Sequence, residues 1–84
     1  MLTMYVKTGC PYCALAIGKV DDLGLKVEYK NIADDAVAAE LVERGGKRMV
    51  PYLVDEERSV EMYESSDIVD YLNKNYSSKD STDG

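Results

Sequence analysis

The sequence predicts a single α/β domain: a mixed four-stranded sheet with helices on both faces, in the element order β-α-β-α-β-β-α. Three observations carry that prediction. Two stretches of alternating apolar and polar residues, at 2–7 and 25–30, bracket a helix-spaced segment. A third strand-like stretch at 52–55 and an alternating one at 59–63 are separated only by the polar turn Glu56-Glu57-Arg58. Helix-spaced segments with capping residues fill the remaining stretches.

In chain order, Met4 and Val6 alternate with Thr3, Tyr5 and Lys7 to give the first strand. Thr8-Gly9 turns the chain, and Pro11 suits a first helical turn, where its missing N–H leaves nothing unpaired. Ala14, Leu15, Ile17 and Val20 continue with helical spacing until Gly24. Leu25, Val27 and Tyr29 alternate with lysine and glutamate as a second strand with one buried face. Strand, helix and strand form a βαβ unit, so the two strands should run parallel. Asp34-Asp35 caps a second helix, whose apolar face is Val37, Leu41 and Val42 and whose stop is Gly45-Gly46. After the basic pair Lys47-Arg48 and Met49-Val50-Pro51 comes the hairpin. Ser65, Ser66 or Asp67 then caps a last helix with Ile68, Val69, Leu72 and Tyr76 on its core face. The domain spans 1–76. Residues 77–84 contain no apolar side chain and read as a disordered C-terminal tail.

Composition narrows the function. The 84 residues carry a formal net charge of −6, which argues against nucleic acid, whose recognition needs a basic face. The charge favours a monomer, and no apolar run is long enough to span a bilayer. No secretory leader precedes the first strand, so the expected setting is cytoplasmic and reducing.

The two cysteines are Cys10 and Cys13, and there is no histidine. A bridge between them closes too short a loop to stabilise much, so they read as chemical rather than structural. Half of a zinc site is the bland alternative, but tetrahedral zinc takes four ligands and this chain has too few of the usual ones. Reversible thiol–disulfide exchange is the stronger reading. Cys10 stands where a helix begins, at the carboxyl end of the first strand. Free backbone N–H groups and the helix dipole lower a thiol's pKa there, and Lys7 adds positive charge. Cys10 is therefore the expected nucleophile, and Cys13, one turn later and less exposed, the resolving thiol.

Lys7-x-x-Cys10-Pro11-Tyr12-Cys13, then Val50-Pro51, then Ser66-Asp67 resembles a glutaredoxin of the dithiol CPYC type over about residues 1–76. That resemblance implies a thioredoxin-like fold and a glutathione-dependent thiol–disulfide oxidoreductase with no resident cofactor. Its partners would be glutathione, as co-substrate, and disulfide-containing proteins. It also implies a role for each motif residue. Pro51 would be a cis-proline facing the active site, and Val50 would pair its backbone with glutathione. Ser66 and Asp67 would hold the γ-glutamyl end, Lys7 would face the glycine carboxylate, and Tyr12 would pack beside the ligand. Lys47 or Arg48 offers a further cation from the loop. The stretch Glu64-Ser65-Ser66-Asp67-Ile68 is similar instead to the matching segment of glutathione S-transferase N-terminal domains, which share the fold. Two other readings stay open: a thioredoxin-like electron carrier reduced by a flavoprotein, and a module that binds glutathione or an iron–sulfur cluster.

Overall fold

A computed structural model describes residues 2–76. The elements are β1 (Leu2–Val6), α1 (Pro11–Leu23), β2 (Val27–Asn31), α2 (Asp35–Gly45), β3 (Tyr52–Asp55), β4 (Val60–Met62) and α3 (Ser65–Tyr76). The strands form one sheet in the order β2-β1-β3-β4. β1 runs parallel to β2 and antiparallel to β3, which pairs antiparallel with β4. This is the thioredoxin-like α/β arrangement. The tail expected at 77–84 lies outside the described residues.

Strand alternation divides the core in two. Leu2, Met4 and Val6 of β1 and Leu53 of β3 point to one face, against Cys13, Ala16 and Val20 of α1 and Ile68 and Leu72 of α3. Tyr5, Tyr52 and Val54 point to the other face, against Ile32 and against Ala38 and Leu41 of α2. α1 and α3 thus cover one side and α2 the other. β1, buried on both faces, is the axis of the domain.

Local geometry moves several boundaries. β2 begins at Val27 rather than Leu25, because Leu25 still serves the helix before it. Gly24 takes the left-handed conformation, and the Leu25 amide donates to the Val20 carbonyl at 3.1 Å, closing α1 in a Schellman-type cap. β2 is a sheet edge, so Tyr29 is 40% exposed instead of lying on a buried face. In α2 the buried positions are Ala38 and Leu41, and Val42 is exposed. The Asp34 cap is as expected: its carboxylate accepts from the Ala36 amide at 2.9 Å. α3 begins at Ser65, so Ser65, Ser66 and Asp67 lie within its first turn instead of capping it, and the Glu64 carbonyl accepts from the Ile68 amide at 3.0 Å.

Candidate active site

Cys10 follows β1 through the turn Lys7-Thr8-Gly9 and is the N-cap of α1, with Pro11 at the first helical position. Its sulfur takes the place of a capping oxygen: the Cys13 amide donates to Cys10 Sγ at 3.4 Å. Burial pushes the Cys10 thiol up. Hydrogen bonding from Cys13 and from the Tyr12 amide, with the Lys7 charge, outweighs burial, and the net shift is downward. Cys13, on the inner side of the same turn, is 1% exposed and belongs to the core. Burial raises its thiol to about 11, and its contacts with Cys10 add to the rise. The expected inequality is therefore present and wider than expected, because Cys13 is held neutral rather than left ordinary. Both thiols are free.

Two cavities flank this turn. One, of about 600 Å³, is lined by Lys7, Cys10 and Cys13 together with Pro11, Ala14 and Ile17 of α1. The other, of about 430 Å³, is a groove lined by Tyr12, Met49, Val50, Pro51, Tyr63, Glu64, Ser65 and Ser66. The Val50–Pro51 peptide bond is cis. Tyr63 fixes the wall: its hydroxyl donates to the Lys47 carbonyl at 2.8 Å and accepts from the Lys47 amide at 3.1 Å. Glu64 has φ 67°, an unusual conformation for a residue with a side chain, and it stands where α3 begins. The first amides of α3 have no partner within the helix, so Ser65 and Ser66 bring donors to the groove.

The structure therefore distributes the residues singled out in the sequence over two adjoining sites. Tyr12, Val50, Pro51 and Ser66 share the groove, whereas Lys7, Cys10 and Cys13 line the neighbouring cavity. Asp67 is exposed and lines neither, and Lys47 and Arg48 are exposed beside the groove without lining it. Met49, Tyr63, Glu64 and Ser65 were not foreseen as lining residues. The one sequence signal was the transferase-like segment beginning at Glu64. Among the described residues no group of three or more histidine, cysteine or acidic side chains is placed to hold a metal ion. No helix among them is long and apolar enough to cross a membrane.

Compared with known proteins, residues 4–80 match the family described as glutathione S-transferase, N-terminal domain. No curated protein sequence matches the chain at a significant level. Among solved structures, glutathione transferase E6 from Drosophila melanogaster is 26% identical, with a TM-score of 0.77 over 95% of this chain and 37% of its own. Glutathione S-transferase 1-6 from Anopheles dirus species B is 28% identical, with a TM-score of 0.77 over 94% of this chain and 38% of its own. An epsilon-class glutathione S-transferase from housefly, at 24% identity and a TM-score of 0.77 over 96% of this chain and 38% of its own, shares the fold. The chain thus spans less than two-fifths of the length of these structures, which carry the fold as one part of a longer polypeptide. The resemblance to glutaredoxins is refined accordingly: what is established is the thioredoxin-like superfamily they share with transferase domains. The chain belongs to the glutathione S-transferase N-terminal domain family.

Proposed function

We propose that this domain binds glutathione in the groove at the Val50–Pro51 bond and catalyses glutathione-dependent thiol–disulfide exchange through Cys10 and Cys13. The observation that carries the reading is the placement of Cys10 as the cap of α1, with its sulfur accepting the Cys13 amide. A thiolate there is stabilised by backbone N–H groups, with the Lys7 charge a smaller contribution, and a thiolate is what attacks a disulfide. The Val50 backbone pairs with the cysteinyl unit of glutathione as an added strand would. The γ-glutamyl carboxylate takes the free amides of Ser65 and Ser66, and the Glu64 or Asp67 carboxylate takes its ammonium. Tyr12 covers the ligand. Lys7 acts on Cys10, since both line the same cavity.

The exchange balances as follows. The Cys10 thiolate attacks the glutathionyl sulfur of a mixed disulfide, forms a Cys10–glutathione disulfide and expels the other sulfur as a thiolate. A second glutathione thiolate then releases oxidised glutathione, or Cys13 displaces reduced glutathione and leaves the Cys10–Cys13 disulfide. Turnover of a glutathione–cysteine mixed disulfide, followed as oxidised glutathione, tests this. Cys10→Ser abolishes turnover, and Cys13→Ser retains it, because external glutathione replaces the resolving thiol. Activity in Cys10→Ser refutes the assignment. Family membership favours one second reading, conjugation of glutathione to an electrophile. Assay of chlorodinitrobenzene with the same preparations separates the two, since conjugation without disulfide turnover supports the second alone.

A further inference from the structure

Glu61, on β4, lines neither the cysteine cavity nor the groove, and the exchange chemistry leaves it unused. It stands opposite Val54 in the β3–β4 pair, so its side chain takes the α2 face of the sheet with Tyr52 and Val54. Both of its carboxylate oxygens are engaged there. Oε1 accepts from the Tyr52 hydroxyl, and Oε2 lies 3.1 Å from Nη1 of Arg44, in the last turn of α2. Burial, and then the bond to Glu61, push the Tyr52 phenol up, so it stays a donor. The carboxylate therefore ties the end of α2 to β3 and β4. The next residue after Arg44, Gly45, meets Tyr63, whose ring centre stands 4.4 Å from that of Tyr52. Tyr63 in turn holds both backbone groups of Lys47, at 2.8 and 3.1 Å, shortly before Val50 and the cis bond. A continuous series of contacts runs from Glu61 to the segment that forms the groove edge.

We propose that Glu61 is a positioning residue: paired with Arg44, it seats residues 47–51 and so sets the groove's affinity for glutathione without touching the ligand. The proposal rests on the glutathione reading proposed above and adds a determinant outside the groove. Both side chains of the pair are 36% exposed, and an ion pair so exposed biases an equilibrium by about fivefold at most. Reversing one charge turns attraction into repulsion, which takes the seating equilibrium down by about tenfold or more. Binding to a segment that is seated part of the time weakens by that fraction. The acidity of Cys10 depends instead on burial, on the amides of α1 and on Lys7. Affinity should fall while thiol reactivity stays.

The test compares wild type with Glu61→Lys, Arg44→Glu and the two combined, in which the charges are exchanged. Glutathione affinity is read by calorimetry. Solvent exchange is read by NMR at two amides: Lys47, held by Tyr63, and Ala14, which donates to the Cys10 carbonyl at 3.1 Å. Each single reversal should weaken glutathione binding about three- to fivefold and speed Lys47 exchange by a similar factor, since one reads the seated fraction and the other the unseated. Ala14 exchange and the rate of Cys10 alkylation should stay within about twofold of wild type, and the exchanged pair should return both affected readings towards it. Glu61→Gln adds no repulsion and can keep the Tyr52 bond. It should give the same signs at about twofold, so the proposal does not depend on the reversed chains folding. Unchanged affinity, an affinity loss without faster Lys47 exchange, equal acceleration at Ala14, or an exchanged pair no better than the single reversals overturns the proposal. A wild type that binds no glutathione, with Lys47 exchange still answering to the pair, refutes the glutathione reading and leaves the seating of 47–51 standing.

Discussion

Cys10 and Cys13 carry the same side chain, and one turn of α1 drives their acidities apart. Cys10 exchanges solvent for helix N–H groups, whereas Cys13 exchanges it for Met4, Ile68 and the rest of the α1–α3 core. Alkylation by iodoacetamide checks the consequence. In Cys13→Ser the rate should rise with a midpoint below the ordinary thiol value of about 8.5. In Cys10→Ser the remaining thiol should stay unreactive well above the ordinary thiol range, because burial, the largest cause of its rise, persists when the contribution of Cys10 is gone. Equal midpoints would remove the physical basis for unequal roles. Lys7→Ala should raise the Cys10 midpoint slightly, since the lysine charge is the smallest of the named contributions. This part of the site was legible in the sequence, because a CxxC pair after a strand and at a Pro-marked helix start can take few arrangements. The groove wall at the start of α3 was less so. Nothing in the identity of Glu64 announces φ 67°, a conformation that sequence patterns signal with glycine or asparagine.

At the scale of elements, the groove depends on how closely the end of α2 approaches β4 and the segment after it. A Cβ on Gly45 would sit 2.3 Å from Tyr63 Oη, 2.9 Å from its Cζ and 3.1 Å from Tyr52 Cε1. The glycine is therefore more than a helix stop. It lets Tyr63 lie against α2 and hold Lys47, which places the loop leading to the cis bond. Gly45→Ala improves helix propensity, yet the clash with two ring systems dominates. A net loss of about 1–3 kcal/mol is expected in urea denaturation, with weaker glutathione binding by calorimetry. Tyr63→Phe removes the atom at 2.3 Å, so the alanine should cost less in that background. Additive effects would place the cost elsewhere. The elements were readable where periodicity and caps agree, as at Asp34 and at Pro11. Their ends shifted where backbone hydrogen bonding took precedence over pattern, as when Leu25 closes α1 instead of opening β2. Five tyrosines packed in or against the core are polar anchors too, Tyr76 among them through its hydrogen bond to Asp55. Tyr5 and Tyr52 donate to Glu40 and Glu61, with Lys30 and Arg44 beside those carboxylates, and Tyr63 lines the groove. Tyr71 donates to Asp55. Apolar periodicity shows that a tyrosine ring is buried and says nothing of where its hydroxyl goes.

Across the whole molecule, the sheet order follows from chain connectivity: a parallel βαβ pair, then a hairpin whose first strand adds beside β1. What connectivity does not determine is how α3 is locked onto that sheet. Asp55, at the end of β3, is 1% exposed and accepts from Tyr71 Oη at 2.6 Å and Tyr76 Oη at 2.5 Å, both on α3. Arg58, from the turn into β4, lies 3.5 Å from the same carboxylate oxygen and donates to Tyr76 Oη at 2.7 Å. Burial pushes the Asp55 carboxyl up, but the two tyrosine hydroxyls, the Arg58 amide and the Arg58 charge outweigh it and hold it below the usual range. With the folded value depressed, the stabilisation is complete above the unfolded value of about 3.9 and is lost as pH falls through it towards the folded one. Asp55→Asn should therefore cost about 1–3 kcal/mol at neutral pH, because the amide replaces a charged acceptor at the junction of both tyrosines. Urea denaturation of both proteins from neutral pH to about pH 3 should show that difference shrinking below about pH 4, as the wild type loses what the variant never had. Tyr71→Phe and Tyr76→Phe should be non-additive with it, since all three act on one carboxylate. A difference that stays constant across the titration would mean that Asp55 contributes shape and not charge. The lock between α3 and the hairpin would then have to come from the apolar contacts of Ile68 and Leu72 with Leu53.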